Sequence, residues 1–122
     1  MNAFDKLLEI MAKLRSEEGC PWDKQQTIET MKESLKKEAI EVNLAIKNQD
    51  YANLKEELGD LLFNIIFICQ ITKEEKLFSI EEVLANVREK LIRRHPHVFG
   101  DEHIETPEEV SKRWAELKRE ET

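Results

Sequence analysis

The feature that most constrains the fold of this chain is an apolar pattern of helical period that runs through nearly all of it. Near the start, apolar residues recur at steps of three and four and therefore share one helical face: Phe4, Leu7, Leu8, Met11 and Leu14. Only 3 Gly and 3 Pro occur in 122 residues, which is too few for a turn-rich β-sandwich or β-barrel. The pattern predicts one all-α domain over residues 1–122, a helical bundle of about five helices.

Polar and Pro-containing breaks separate the predicted helices. The Gly19–Asp23 segment ends the first helix, and the polar turn at 48–50 separates the second helix from the third. Ser79 and Glu82 form a capping-box pattern that starts the fourth helix, and Thr106 followed by Pro107 starts the fifth. The predicted ranges are about 3–15, 25–47, 51–74 and 80–94, with the last helix from about 107.

Charge and hydropathy exclude several classes of function. The formal net charge of -7 argues against nucleic-acid binding, which depends on positive charge. The longest apolar run, Leu61–Ile71, is interrupted by Asn64 and Gln70 and is about half the roughly 20 residues that a membrane helix needs. With no secretory signal pattern, we expect a cytoplasmic protein without a membrane partner, in which Cys20 and Cys69 are free thiols.

The third predicted helix is apolar on most of its faces after Gly59. A helix that is apolar all round needs burial all round, which a small helical domain has difficulty supplying from one copy. We therefore expect self-association as a homodimer or homotetramer, with part of Leu61–Ile71 at the interface. The alternative is that the other helices of the same chain cover this surface.

Four acidic residues are related by the symmetry of a helical hairpin. Glu38 and Glu41 lie three apart on one helix, and Glu57 and Asp60 lie three apart on the next, so each pair shares a helix face. The pairs 41/57 and 38/60 have the same midpoint, residue 49, in the polar turn. An antiparallel hairpin hinged there brings all four carboxylates together.

Four converging carboxylates repel one another unless protons or a cation neutralise them. An all-oxygen ligand set favours Mg²⁺, with Mn²⁺ as an alternative, and the Glu-x-x-His pairs of di-iron bundles do not occur in the sequence. Phosphate groups of a substrate commonly complete a Mg²⁺ site of this kind. The competing interpretation is that these are solvated surface carboxylates in a chain that is 37% charged.

The end of the fourth predicted helix is basic. Lys90 and Arg94 lie four apart, and Trp114 and Lys118 repeat that spacing on the last helix. Cations and an aromatic face suit the phosphates and the base of a nucleotide. Compensation of helix dipoles is the alternative explanation for the cations, and His95 and His97 are expected to pack in the following turn rather than to bind zinc.

These motifs together resemble those of the MazG nucleoside triphosphate pyrophosphohydrolases. The resemblance rests on Gly-Cys-Pro-Trp-Asp at 19–23, Glu-x-x-Glu at 38–41, Glu-Leu-Gly-Asp at 57–60 and Arg-Arg-His-Pro-His-Val-Phe at 93–99. It implies a Mg²⁺-dependent hydrolase that releases pyrophosphate from nucleoside triphosphates and works as an oligomer. Three positions differ from the family's usual pattern: Lys37 and Leu44, where acidic residues are common, and Ile28, where His is common.

The resemblance also implies roles for individual residues. The expected metal ligands are Glu38, Glu41, Glu57 and Asp60, and Glu41 is the candidate to position or deprotonate the attacking water. The expected substrate contacts are Trp22, Lys90, Arg93, Arg94, Trp114 and Lys118. Two alternatives stay open: a narrow-specificity relative of the dUTPase or phosphoribosyl-ATP pyrophosphohydrolase type, and a helical oligomer that binds nucleotide or protein without catalysis.

Overall fold

A computed structural model describes residues 1–121 of the chain, and within them the regular structure is entirely helical. The elements in chain order are α1 (Ala3–Leu14), α2 (Pro21–Gln25), α3 (Met31–Lys47), α4 (Tyr51–Glu74), α5 (Ile80–Arg93), α6 (Pro96–Phe99) and α7 (Pro107–Glu120). This confirms the all-α fold. The residues group into two compact units, Met1–Ile80 and the segment from Glu81 onward, and that both belong to one domain stays a prediction.

The α3–α4 hairpin dominates the first unit, and its turn is where the sequence predicts it. Gln49 adopts a left-handed backbone conformation with φ 52°, and the Asp50 N–H donates to the Ala45 carbonyl at 3.0 Å. The Asp50 side chain then caps α4 by accepting from the Asn53 N–H at 3.3 Å. The turn therefore reverses the chain within three residues, so that α3 and α4 lie side by side.

The core of the first unit lies where α1, α3 and α4 meet. Its five buried members are Met11, Met31, Ile66, Phe67 and Ile71. These residues leave the opposite face of α4 uncovered within the unit, where Leu62 and Ile65 are 42% and 41% exposed. The helices of the first unit therefore cover only part of the apolar run at 61–71.

The second long helix begins later than the predicted start near residue 25. Residues 26–30 instead form a turn in which the Thr27 N–H donates to Thr30 Oγ1 at 2.8 Å and the Thr30 N–H donates to Thr27 Oγ1 at 3.1 Å. Side chains of this type compete with helical hydrogen bonding. Two one-turn helices, α2 and α6, occupy segments that the sequence predicted only as breaks or turns.

The segment between α1 and α2 is held by a steric constraint and by an arginine. A Cβ on Gly19 would lie 2.1 Å from the Leu14 carbonyl oxygen, so only glycine fits there. Arg15 donates to the carbonyls of Asp23 and Gln26 and pairs with Glu74 at 2.7 Å. These contacts fix the position of α2, which carries Trp22.

The second unit contains most of α5 together with α6 and α7. Thr106 caps α7 by accepting from the Glu109 N–H at 3.2 Å, as its position before Pro107 predicted. The Trp114 Nε1–H donates to the Arg94 carbonyl at 2.7 Å, which joins α7 to the end of α5. Among the described residues, no helix is both long enough and apolar enough to span a membrane.

Candidate functional site

Three of the four predicted carboxylates meet on the α3–α4 hairpin. Glu38, Glu57 and Asp60 each place a carboxylate oxygen within 4.8 Å of the other two. Glu38 and Glu57 are half-buried, whereas Asp60 is exposed. The hairpin turn therefore brings together residues that lie about twenty positions apart in the sequence.

The carboxylates of the cluster repel one another. Burial raises the pKa of Glu57, and so do a hydrogen bond that its protonated carboxyl donates to the Glu38 side chain and the negative charges of its acidic neighbours. One carboxylate oxygen of Glu38, Oε2, is buried without a hydrogen-bond partner. An unpaired buried acceptor beside like charges is the environment that a proton or a cation would stabilise.

Glu41 does not share the close grouping of the other three carboxylates. Its charge is still near enough to contribute to the raised pKa of Glu57. Glu41 also lines a second hollow on the surface of α3, together with Lys36, Lys37 and Ile40. The structure therefore places Glu41 at the edge of the cluster rather than within it.

The oxygen donors of the cluster fit a hard divalent cation. Oxygens that bind one Mg²⁺ lie about 2.1 Å from it and no more than about 4.2 Å from each other. Because the three oxygens already lie within 4.8 Å of one another, small side-chain adjustments are enough to bring them onto one ion. Their exclusively oxygen chemistry also favours Mg²⁺ or Mn²⁺ over softer metals.

A hollow of about 260 Å³ lies beside the cluster, between Trp22 and the two long helices. Glu38 and Asp60 line it, and Trp22 is 58% exposed there. Its floor includes Asn64, which is buried and accepts a hydrogen bond from Ser34 Oγ at 3.0 Å. Sequence reasoning noted Asn64 only as an interruption of an apolar run, and did not identify Ser34, because their pairing spans 30 positions.

Four of the six predicted substrate contacts line one hollow in the second unit. This basic hollow, of about 220 Å³, is lined by Lys90, Leu91, Arg94, His95, Trp114 and Lys118. The helical spacing of four predicted each pair, 90/94 and 114/118, and the tertiary structure brings the two pairs together. The remaining predicted contacts lie elsewhere: Trp22 is in the first unit, and Arg93 is not among the residues that line this hollow.

The histidines at the end of α5 pack, as the sequence analysis predicted. His95 Nδ1 lies 2.6 Å from the Leu91 carbonyl oxygen. The His95 ring also contacts those of Trp114 and His97, at centroid distances of 5.4 and 5.5 Å. His95 therefore supports one wall of the basic hollow.

The arginines at the end of α5 have an acidic partner that the sequence analysis missed. The Glu121 carboxylate binds Arg93 Nε at 2.9 Å and Arg94 Nη2 at 2.8 Å. These contacts lower the pKa of Glu121 to about 2. No periodicity relates residues 93, 94 and 121, so the sequence held no signal for this pairing.

Comparison with known proteins supplies the family. Residues 26–99 match the model of the MazG nucleotide pyrophosphohydrolase domain. The chain is 47% identical over 122 residues to a nucleoside triphosphate pyrophosphohydrolase of Escherichia coli K12, covering 99% of this chain and 46% of that protein. It is also 47% identical over 118 residues to the nucleoside triphosphate pyrophosphohydrolase/pyrophosphatase MazG of Thermotoga maritima, covering 97% of this chain and 45% of that one.

A solved structure is similar over most of its length. The crystal structure of a mazG-related protein from Thermotoga maritima matches with a TM-score of 0.79 and 37% identity, covering 94% of this chain and 98% of that chain. By contrast, the chain spans about half the length of the two curated relatives just described.

Proposed function

Because this chain belongs to the MazG nucleotide pyrophosphohydrolase family, we propose that it hydrolyses nucleoside triphosphates to nucleoside monophosphate and pyrophosphate. The observation that carries the proposal is the convergence of Glu38, Glu57 and Asp60 within the segment that matches the family model. Both 47%-identical relatives are named as nucleoside triphosphate pyrophosphohydrolases. A hydrolase of this class acts on a phosphoric anhydride bond.

The carboxylate cluster is the proposed site of a divalent cation, Mg²⁺ or Mn²⁺. Glu38, Glu57 and Asp60 would hold the cation, and Glu41 would join them by a change of side-chain conformation. A bound cation of this type polarises phosphate oxygens and lowers the pKa of a bound water. The unpartnered oxygen of Glu38 and the raised pKa of Glu57 support this assignment.

Glu41 is the proposed positioning group or general base for the attacking water. From the edge of the cluster, its carboxylate would accept a proton as the water oxygen bonds to the α-phosphorus. The bond from the α-phosphorus to the bridging oxygen then breaks, and pyrophosphate leaves with that oxygen. Its place beside the three ligand carboxylates supports this role in addition to that of a fourth ligand.

The remaining proposed contacts recognise the nucleotide. Lys90, Arg94 and Lys118 would contact phosphate oxygens, with the face of Trp114 beside them. Arg93 is proposed as a further phosphate contact, because it shares the Glu121 carboxylate with Arg94. Trp22, exposed next to the carboxylates, offers an aromatic face on which a base can stack.

The test is pyrophosphate release from a panel of normal and modified nucleoside triphosphates, with Mg²⁺ and with EDTA. Glu41→Ala and Asp60→Ala should abolish release while leaving the helical circular dichroism unchanged. Glu56→Ala is the matched control, since Glu56 is an exposed acid next to Glu57 but lies outside the cluster. Wild-type rates in either cluster variant would refute the assignment, and the rank order of the panel tests for a narrow-specificity enzyme.

Metal binding can be measured without turnover. Mg²⁺ should raise the thermal midpoint of the wild-type protein, because a ligand that binds only the folded state stabilises it by about 2.7 kcal/mol at 100 times its Kd. Asp60→Asn should lose most of this shift, whereas Glu56→Gln should retain it. Equal shifts in both variants would show that the ion binds elsewhere.

A non-catalytic binding function is the second candidate. It is favoured by Lys37, which lies where the family commonly has an acid and lines the same hollow as Glu41, and by the position of Glu41 outside the close cluster. A folded protein that binds both Mg²⁺ and triphosphate but releases no pyrophosphate would establish this candidate.

Self-association as a homodimer or homotetramer is part of the proposal. The supporting observation is a stripe on α4, Leu58, Leu62 and Ile65, whose members are 49%, 42% and 41% exposed. Residues spaced by four and three form one continuous apolar face. Light scattering should give a multiple of the 14.4 kDa chain mass, and Leu62→Lys should reduce it, whereas the control Lys73→Glu should not; a wild-type monomer would refute the proposal.

The predictions about other partners rest on the sequence. The net charge of -7 argues against a nucleic acid as the ligand, because nucleic-acid binding depends on excess positive charge. A cytoplasmic location stays a prediction.

A further inference from the structure

The two arginines that end α5 share a single carboxylate, which belongs to Glu121 at the end of α7. Arg93 Nε lies 2.9 Å from Glu121 Oε2. Arg94 donates twice, from Nη2 to Oε1 at 2.8 Å and from Nε to Oε2 at 3.3 Å. The carboxylate thus lies in a fork of guanidinium groups, in which both of its oxygens are bound.

This arrangement is the one by which guanidinium groups bind any planar or tetrahedral oxyanion. Carboxylate and phosphate oxygens accept the same bidentate pairs of N–H donors from arginine. Glu121, whose pKa the two arginines lower to about 2, is ionised at neutral pH, as an ordinary glutamate is. Its side chain is 19% exposed, compared with 23% for Arg94 and 50% for Arg93.

Arg94 belongs at the same time to the basic hollow. It lines that hollow with Lys90, Trp114 and Lys118, and the Trp114 ring nitrogen donates to the Arg94 carbonyl. The backbone of Arg94 is therefore held in place, while its guanidinium is already bound to Glu121. A phosphate group that binds Arg94 through the bidentate Nε and Nη2 pair would have to displace Glu121 from these donors.

We propose that Glu121 is a built-in competitor of the phosphate groups, one that holds Arg93 and Arg94 until a triphosphate displaces it and thereby sets the affinity for triphosphate. The inference rests on the proposed function in one respect, that phosphate groups enter the basic hollow. The apparent affinity for triphosphate equals the intrinsic affinity multiplied by the fraction of molecules in which Glu121 has released the arginines. Removing the negative charge at 121 then strengthens binding.

A purely structural ion pair would behave in the opposite way. If Glu121 served only to hold the end of α7 against α5, its loss would loosen the hollow that Trp114 and Lys118 help to line. Triphosphate binding would then weaken. The sign of the change in affinity therefore separates the two roles.

The experiment compares Glu121→Gln with Glu120→Gln. Both substitutions remove one negative charge from the same turn of α7, but Glu120 lies 3.9 Å from Arg113 and has no contact with the α5 arginines among the described ion pairs. Inorganic triphosphate, titrated calorimetrically in metal-free buffer, is the probe. We expect Glu121→Gln to bind inorganic triphosphate about threefold to tenfold more tightly than Glu120→Gln. A factor of this size corresponds to the loss of a partly exposed ion pair between one carboxylate and two arginines.

Steady-state hydrolysis of ATP with Mg²⁺ provides the second measurement. KM should fall by a similar factor in Glu121→Gln, with no fall in kcat. Equal or weaker triphosphate binding by Glu121→Gln than by Glu120→Gln overturns the proposal, and so does the absence of triphosphate binding in both variants. Tighter binding by Glu121→Gln in a protein that shows no hydrolysis would support the competitor while refuting the proposed function.

Discussion

Replacing Arg15 should cost the fold about 3 kcal/mol, because a single guanidinium joins three segments of the first unit. Its side chain is only 9% exposed. It donates to the carbonyls of Asp23 and Gln26, pairs with Glu74 through two nitrogens, and lies 5.6 Å from the centre of the Phe67 ring. Arg15→Met keeps the unbranched apolar stem and removes all of these donors.

The magnitude follows from the separate contacts of Arg15. Each part-buried carbonyl that loses its donor costs about 1 kcal/mol. The pair with Glu74 adds about 0.5 kcal/mol after allowance for solvent screening, since that carboxylate is 36% exposed. The contact with the Phe67 ring adds about 0.5 kcal/mol.

The assay is guanidinium chloride unfolding of Arg15→Met, Glu74→Gln and the wild-type protein, followed by circular dichroism. Glu74→Gln should cost less than about 1 kcal/mol, because it leaves the guanidinium bound to both carbonyls. A loss below about 1 kcal/mol for Arg15→Met, or equal losses for the two variants, would refute this account of the α1–α2 connection.

The Glu74 contribution should also depend on pH. The neighbouring guanidinium lowers the pKa of Glu74 in the folded state below its ordinary value of 4.5. A group with a lowered folded pKa stabilises fully above its unfolded pKa and loses its effect as the pH falls through the folded value. The difference in unfolding free energy between wild type and Glu74→Gln should therefore be constant above about pH 5.5 and shrink as the pH falls below about 4.5. A difference that grows on acidification would contradict the ion pair.

Two further predictions follow from packing. Gly19→Ala should destabilise the protein strongly, because the new Cβ would lie 2.1 Å from the Leu14 carbonyl oxygen. Gly59→Ala should instead stabilise α4 by about 0.5–1 kcal/mol, since no atom lies within 4 Å of the new Cβ. Thermal denaturation of the two variants tests this contrast, and similar midpoints would contradict it. Iodoacetamide should alkylate Cys20 before Cys69, because Cys69 is 6% exposed and burial raises the pKa of its thiol. Mass spectrometry of timed samples measures the order of alkylation, and faster labelling of Cys69 would refute the prediction.

Much of the candidate site could be predicted because helical geometry is local and regular. A fixed number of residues per turn puts residues three and four apart on one face, so Glu57 and Asp60 could be paired from spacing alone. The polar turn at 48–50 then related them to Glu38 by simple counting. Side-chain direction is not set by counting, which is why Glu41 was expected in the cluster but lies at its edge.

The sequence by itself determined the all-α class, the hairpin and the three converging carboxylates, since each follows from helical period and turn position. Tertiary structure alone decided the contacts between residues that no period relates. Arg15 meets Glu74 across 59 positions, and Ser34 meets Asn64 across 30. Arg94 meets Glu121 across 27 positions, because the path of the chain between α5 and α7 brings them together, and local spacing does not encode that path.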